Sequence, residues 1–161
     1  MASEAPAQLL LDTHIWLWLM NGARLDTPTV QAIERAATDG HVYVSAISVW
    51  AVGMLESKGR IRLSRDGSEC VRQALTMPDV RLVPLSSEIA LASSRLPGLF
   101  HGDSADRILA ASARLMNLTL VTRDERLLAY GAAHDVSVFV REAAPSSPPP
   151  KSPGPLGCKL G

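Results

Sequence analysis

The chain of 161 residues carries 16 basic and 16 acidic side chains, and 47% of its residues are hydrophobic. This composition is typical of one ordinary globular domain and excludes a chain that is disordered throughout. The formal net charge of zero excludes a protein that holds nucleic acid by a general basic excess, so any nucleic-acid contact is predicted to be local.

Short apolar strands alternate with helices along the first part of the chain. Residues 8–12 are predicted to form a buried strand, and the apolar residues after it predict a packed helix. Thr27 and Pro28 are typical of the start of a second helix, which we expect to end at Gly40. Residues 41–46 are predicted to form the second strand.

Four helices and three strands are predicted in the rest of the chain. The helices are expected at 48–58, at 66–77, from Ser86 or Ser87 to 96, and from Asp103 to about Leu115; the strands are expected at 80–85, 118–122 and 136–140. Strands separated by helices are typical of a mainly parallel sheet that is covered on both faces. The sequence therefore predicts an α/β fold with about five strands.

The composition changes abruptly near the end of the chain. Residues 143–161 hold six of the 11 prolines and almost no large apolar side chain, so we expect a disordered tail after a domain of residues 1–142. A native extension and vector-encoded residues both fit this composition. Lys151 and Lys159 lie in the tail, so the domain itself has a slight acidic excess.

The cysteines and the apolar runs predict the location of the protein. Cys70 and Cys158 are far apart and have no partner motif, so neither a disulfide framework nor a zinc site is indicated. The apolar run 9–20 is interrupted by Asp12 and His14, unlike a signal peptide or a membrane span. We expect a cytoplasmic protein that does not contact a membrane.

Aspartates follow the predicted strands or begin the predicted helices. Asp12 comes after the first strand, Asp124 after the fourth, and Asp103 and Asp106 lie at a helix start. Because the carboxyl ends of parallel strands meet at one edge of the sheet, these carboxylates are expected to come together there. Clustered carboxylates repel one another unless a cation joins them, and their hard oxygen atoms suit Mg²⁺ or Mn²⁺.

Each aspartate also has a purely structural interpretation. Aspartate is a preferred residue at a helix start, so Asp12, Asp103 and Asp124 are all candidate caps. Thr122 and Glu125 match a capping box, and the alternative for Thr122 is a hydroxyl that donates to an active-site carboxylate. No nucleotide-binding glycine motif or serine-nucleophile motif is present.

Several segments in order resemble one family. They are LLLDTHIWLWL (9–19), VSAISVW (44–50) with MLESKGRI (54–61), HGDSADRILAASARL (101–115) and LVTRDERL (120–127). These segments resemble PIN-domain ribonucleases, specifically the VapC toxins of bacterial toxin–antitoxin pairs. The resemblance implies an α/β/α sandwich and an endoribonuclease that depends on Mg²⁺ or Mn²⁺. It also implies a homodimer, or a hetero-oligomer with a small VapB-like antitoxin, and an RNA substrate.

The resemblance also assigns roles to individual residues. The catalytic and metal-binding acids of the family correspond here to Asp12, Asp106 and Asp124, and Asp103 corresponds to an outer position. Arg107 flanks these acids, and its guanidinium suits either an RNA phosphate or an ion pair. Arg123 has the same two alternatives.

The sequence departs from the family at one position. Trp50 is normally followed by a glutamate, but this chain has Ala51, whose methyl group cannot bind a metal ion. We expect weaker metal binding and impaired cleavage, and Glu56 is a poor substitute because it lies about 140° around the helix from position 51. Either an engineered change or a natural, degenerate member explains Ala51. A protein that only binds its antitoxin or RNA is the alternative function.

The aromatic and histidine side chains have structural and functional interpretations. Trp16, Trp18 and Trp50 are typical of core or dimer packing, and the alternative is stacking on RNA bases. We expect His14 to be a polar residue at a helix start and His101 to be part of a loop, rather than a general base or a metal ligand.

Overall fold

The computed structural model describes residues 8–21, 27–61, 67–76, 79–98, 100, 102–133 and 138–139. The strands in this part of the chain are β1 (Leu9–Leu11), β2 (Val42–Ser45), β3 (Val80–Val83), β4 (Thr119–Val121) and β5 (Val138–Phe139). The helices are α1 (Thr13–Asn21), α2 (Thr27–Thr38), α3 (Ala46–Ser57), α4 (Gly67–Leu75), α5 (Ser87–Ser94), α6 (Ser104–Met116) and α7 (Glu125–Ala133).

The five strands form one parallel sheet in the order β3-β2-β1-β4-β5. In this sheet Leu10 lies opposite Tyr43 of β2 on one side and Leu120 of β4 on the other. The predicted α/β fold with a mainly parallel sheet is confirmed. The chain moves outward from β1 to β3 in one direction and from β4 to β5 in the other. The order therefore reverses between β1 and β4, which is where open parallel sheets place their ligands.

Apolar side chains pack on both faces of the sheet. In β1, Leu9 and Leu11 belong to the core cluster that includes residues of α1, α2 and α4. Leu10 points to the opposite face and belongs to the cluster that includes residues of α5, α6 and α7. Successive side chains of a strand alternate between faces, so three consecutive leucines can be buried only when helices cover both sides.

Helix α3 begins earlier than the sequence predicted. Ser45, and not Ser48, is its N-cap: the Ser45 Oγ accepts a hydrogen bond from the Ile47 N–H at 3.1 Å. Both serines are suitable caps, and Ser45 is favoured because β2 ends there. Ser48 is therefore fully buried within the helix, where its hydroxyl is available for contacts with other elements.

The other helix ends include two predicted N-caps and one helix that was not predicted. Ser86 and Asp103 are the N-caps of α5 and α6, as predicted. Gly40 follows α2 with a φ of 71°, a conformation that glycine adopts without strain. Helix α7 was not among the predicted helices, although the possible capping box at Thr122 and Glu125 indicated a helix start in this region.

Some predictions lie wholly or partly outside the described residues. These are the ends of the helix at 66–77, most of the strand at 136–140, the boundary at residue 142, the tail 143–161, and His101. Among the helices that the structure describes, none combines the length and the apolar character needed to cross a bilayer.

Candidate functional site

Asp12 lies at the point where the strand order reverses. Its backbone N–H donates to the Val121 carbonyl at 2.9 Å, which continues the pairing of β1 and β4 by one residue. The Thr122 hydroxyl, directly after β4, donates to Asp12 Oδ2 at 2.7 Å. Both side chains are buried, so the carboxylate is held firmly at the carboxyl edge of the sheet.

The second oxygen of Asp12 faces the start of α1. Asp12 Oδ1 accepts a hydrogen bond from the Thr13 N–H at 2.7 Å, and the Thr13 hydroxyl donates to Ser48 Oγ at 2.9 Å. Ser48 belongs to α3, so these two bonds connect the carboxylate to that helix. The early start of α3 thus gives Ser48 its place beside the candidate site.

Asp106 lies in the first turn of α6 and contributes a second carboxyl group. Its partial burial, followed by the negative charges of Asp103, Asp12 and Asp124, raises its pKa from 3.8 to about 7. The pKa of Asp12 is also raised, chiefly by burial, while the hydrogen bond from Thr122 opposes the rise. Both shifts show that the site disfavours its own negative charge.

Asp103 and Asp124 serve as helix caps. Asp103 Oδ1 accepts a hydrogen bond from the Asp106 N–H at 2.9 Å. Asp124 Oδ1 accepts one from the Arg126 N–H, in the first turn of α7, at 2.8 Å. The capping interpretation is therefore correct for both, yet both also raise the pKa of Asp106 and so lie near it.

The proposed capping box is wrong in its details. Thr122 Oγ1 accepts a hydrogen bond from the Asp124 N–H at 3.0 Å and donates its own proton to Asp12. Asp124, rather than Thr122, accepts the hydrogen bonds from the start of α7. The hydrogen bond of the predicted alternative, from the Thr122 hydroxyl to the Asp12 carboxylate, is present, and the catalytic role of that carboxylate stays a prediction.

The donor set suits a hard divalent cation only in part. The carboxylate oxygens of Asp12, Asp106 and Asp124 are the right ligand type, and a cation would relieve their repulsion. The Asp106 carboxylate accepts no hydrogen bond from another described residue, so both of its oxygens are available for a ligand. However, no three Asp, Glu, His or Cys side chains in the described ranges are grouped closely enough to hold one ion.

A cavity of about 250 Å³ opens beside Asp12 and Asp106. Its walls come from the start of α1, one face of α3 with the residues after it, and the start of α6. The lining residues are Asp12, Thr13, His14, Trp50, Ala51, Met54, Leu55, Lys58, Arg60, Asp103, Ala105 and Asp106. Thr122, Asp124 and Glu56 do not line it.

A family model and a characterised relative match almost the same part of the chain. The PIN domain model matches residues 9–133. Ribonuclease VapC22 of Mycobacterium tuberculosis is 33% identical over 132 residues, which cover 81% of this chain and 98% of the relative. The chain belongs to the PIN domain family, among its VapC members.

Three solved structures of other proteins have a similar fold. A toxin–antitoxin complex from Klebsiella pneumoniae matches with a TM-score of 0.56 and 25% identity, over 82% of this PIN domain chain and 96% of its own. VapBC2 of Rickettsia felis, bound to a DNA fragment from its promoter, matches with a TM-score of 0.60 and 18% identity, over 81% and 96%. FitAcB of Neisseria gonorrhoeae matches with a TM-score of 0.58 and 23% identity, over 82% and 96%.

The position where this PIN domain departs from the family pattern faces the cavity. Ala51 lies one helical turn after Ser48 on α3 and lines the cavity together with Asp12 and Asp106. A longer acidic side chain at position 51 would thus extend toward these carboxylates. The position at which the family resemblance implies a glutamate thus lines the cavity, and in this chain it contributes only a methyl group.

Arg107 has a structural position in this PIN domain. Its Nε donates to the Ser93 carbonyl at 3.0 Å and its Nη1 to the Phe100 carbonyl at 3.3 Å. The guanidinium also lies 6.0 Å from the centre of the Phe100 ring. Arg107 thus connects the end of α5 to α6 and does not line the cavity, so the structure does not support the predicted phosphate contact.

The three tryptophans have different surroundings. Trp16 is fully buried, as predicted, and Trp18 packs at the edge of the core, with the Arg123 guanidinium 5.1 Å from its ring centre. Trp50 is 56% exposed and lines the cavity, so it does not pack in the core, and the predicted alternative of dimer packing stays a prediction. Its apolar neighbours in sequence gave no signal of this, because α3 is apolar on several faces.

His14 lies on the exposed surface of α1 at the cavity wall, 6.5 Å from the Trp18 ring centre. This position agrees with a polar residue at a helix start. Lys58 and Arg60 also line the cavity, and they were not among the predicted site residues. Their sequence signal was that they lie in MLESKGRI (54–61), one of the segments that resemble the family, directly after α3.

Proposed function

We propose that this PIN domain is an endoribonuclease of the VapC toxin type, which hydrolyses RNA phosphodiester bonds with Mg²⁺ or Mn²⁺. The observation that carries the proposal is the pair of carboxyl groups, Asp12 and Asp106, that face one cavity at the switch point of a parallel sheet. Support also comes from the relative that is named a ribonuclease. We expect the protein to act in the cytoplasm.

By their correspondence with the family, Asp12, Asp106 and Asp124 would hold the cation, which requires them to lie closer together than the structure places them. A bound divalent cation would supply an activated water and would neutralise charge on the phosphate. The side chain of Asp12 is fixed by Thr13 and Thr122, so its orientation is set before any ligand arrives. Asp124 caps α7 through its Oδ1, which leaves its Oδ2 for the cation. Asp103 caps α6 and so fixes the first turn of the helix that carries Asp106.

Asp106 has a carboxyl group whose charge depends on pH near neutrality. Its pKa of about 7 means that a substantial fraction is protonated at neutral pH before a cation binds. Asp106 would hold the cation as an ionised carboxylate, after it has lost this proton. Water attack on the phosphorus, in line with the leaving 3′ oxygen, gives products with a 5′-phosphate and a 3′-hydroxyl.

Cleavage by this sequence should be impaired by Ala51. The test compares RNA cleavage by the present chain with cleavage by the Ala51→Glu variant, in the presence of Mn²⁺ and with chelator controls. We expect Ala51→Glu to cleave faster and Asp12→Asn in the same background to be inactive. Equal cleavage with and without glutamate would show that Ala51 is no lesion, and cleavage in chelator or cyclic-phosphate products would contradict the mechanism.

Ala51 also favours a second candidate function. This chain lacks the family glutamate, and no three acidic side chains in the described ranges are grouped closely enough to hold one ion. Both features fit a protein that binds a partner or RNA without cleaving it. Failure of Ala51→Glu to cleave any RNA, together with retained partner binding, would support this alternative.

The proposed partner is a small VapB-like antitoxin, bound to a homodimer or within a hetero-oligomer. The structural neighbour from Klebsiella pneumoniae is a toxin–antitoxin complex and is similar over 82% of this chain. Co-expression with the product of a short adjacent reading frame, followed by sedimentation, tests the assembly. We expect a stable complex. A chain that sediments as a monomer both with and without the co-expressed product would contradict the proposed assembly.

A further inference from the structure

The cavity-facing side of α3 carries an aromatic ring and a cation in regular spacing. Trp50, Met54 and Lys58 are each four residues apart, at α3 and its C-cap, and all three line the cavity. Residues four apart lie above one another on a helix, and eight residues span about 12 Å along its axis. Arg60, two residues beyond Lys58, lines the same wall.

Trp50 is the most exposed of the large apolar side chains in the described part of the chain, with 56% of its surface accessible. Tryptophan is usually well buried, because its large ring gains more from leaving water than most side chains do. The other two tryptophans of this chain pack in or against the core. An exposed indole beside a polar cavity is the arrangement that proteins use to stack an unpaired base.

The charges around the cavity are separated into two groups. Asp12, Asp103 and Asp106 lie on the walls formed by α1 and α6, while Lys58 and Arg60 lie at the end of α3. Both basic side chains are exposed, and neither pairs with an acidic side chain of another described residue. A phosphate would be attracted to the α3 end and repelled by the free acids unless a cation joins them.

We propose that this side of α3 is a subsite for one unpaired nucleotide of an RNA strand, next to the bond that is cleaved. The base stacks on Trp50, and its phosphate contacts Lys58 and Arg60. The proposal rests on the ribonuclease function proposed above. The cavity of about 250 Å³ is smaller than the range of about 300–1,000 Å³ that is usual for drug-sized ligands, so it suits a single nucleotide rather than a base pair.

Binding of a fluorescein-labelled octauridylate to the chain as it stands, in chelator, tests the subsite without cleavage. Loss of base stacking in Trp50→Ala should weaken binding about 5- to 150-fold, and Trp50→Phe should retain most of the affinity. The matched control is Leu91→Ala on α5, which removes a side chain of similar exposure, 53%, far from the cavity lining.

The phosphate contacts have their own measurement. Lys58→Ala and Arg60→Ala should each weaken binding and lower the slope of log affinity against log salt by about 0.7, the value for one phosphate on a single strand. Arg114→Ala is the matched control, because Arg114 is exposed on α6 and does not line the cavity. Circular dichroism melts establish that every variant folds.

The outcomes separate this proposal from the function on which it rests. If Trp50→Ala binds like Leu91→Ala while the Ala51→Glu chain still cleaves RNA, the subsite is wrong and the ribonuclease function stands. If Ala51→Glu does not cleave but binding still depends on Trp50, the ribonuclease function is wrong and the subsite stands. If Trp50→Ala leaves RNA affinity unchanged but abolishes binding of a co-expressed antitoxin, this side of α3 is a protein interface and the proposal is overturned.

Discussion

The hydroxyl of Thr122 donates to Oδ2 of Asp12 at 2.7 Å, between two residues that are 110 positions apart in the chain. Both residues are buried and lie at the carboxyl ends of neighbouring strands. The bond couples the two halves of the sheet at the candidate site.

Thr122→Val should therefore destabilise the protein. The valine keeps the shape of the side chain but leaves a buried carboxylate oxygen without its donor, at a cost of about 1–3 kcal/mol in the free energy of unfolding. The pKa of Asp12 should rise further, because the lost hydrogen bond lowers it. Urea unfolding measures the stability. Thr119→Val in β4 is the control, and an equal loss in both variants would contradict this role for Thr122.

The stability of the metal-free protein should fall as the pH rises toward 7. The pKa of Asp106 is about 7 in the folded chain and near 3.8 when unfolded, so the folded state binds more protons between these values. Stability is therefore lost with rising pH across this window and levels off above pH 7. Asp106→Asn should remove this contribution. The measurement is the free energy of unfolding in urea, with chelator, at several pH values. The free energy of Asp106→Asn relative to that of the parent chain should increase as the pH rises, and a difference that does not change with pH would contradict the prediction.

Mn²⁺ should stabilise the chain more above pH 7 than below it. The cation competes with the proton for the Asp106 carboxylate, and any ligand that binds only the folded state raises its stability. The gain is about 2.7 kcal/mol when the free ion is at 100 times its dissociation constant. Thermal melts with and without Mn²⁺ measure the effect. Asp106→Asn should lose most of it and Ala51→Glu should increase it; an Asp106→Asn protein that responds like the parent would exclude Asp106 as a ligand.

Gly102 fixes the approach of its loop to α6. A Cβ at this position would lie 2.9 Å from the Asp106 Cβ and closer still to the Phe100 ring, so a side chain forces a shift. We expect Gly102→Ala to cost about 1–3 kcal/mol and to change the environment of Asp106. Gly53→Ala is the control, since a Cβ there contacts nothing within 4 Å. Gly53 lies on the exposed face of α3, where Gly53→Ala should stabilise the protein by about 0.5–1 kcal/mol. Equal effects would refute the steric role of Gly102.

The sequence predicted the part of the site that depends on strand order. Asp12 and Asp124 follow strands that pair in parallel, so their meeting at one edge follows from the α/β pattern alone. Asp103 was predictable as the cap of α6 from its residue type and the apolar periodicity after it.

Apart from the hydrogen bond from Thr122 to Asp12, contacts between side chains that are distant in sequence were not predictable. Arg107 is next to Asp106 in sequence, but its length lets it reach two carbonyls on another element, and no local pattern encodes that direction. The exposure of Trp50 depends on which face of α3 meets the sheet. That face was not predictable from the sequence, because α3 is apolar on several faces.

The position of β4 in the sheet has a consequence for synthesis of the protein. Asp12 is made early, but Thr122 and Asp124 leave the ribosome only after most of the chain, because β1 pairs with a strand more than a hundred residues later. Contacts of such long sequence separation are slow to form, because the loop between them must first lose conformational entropy. A nascent chain that stops before β4 therefore lacks Thr122 and Asp124, so the candidate site cannot assemble until about 110 further residues have followed Asp12 out of the ribosome.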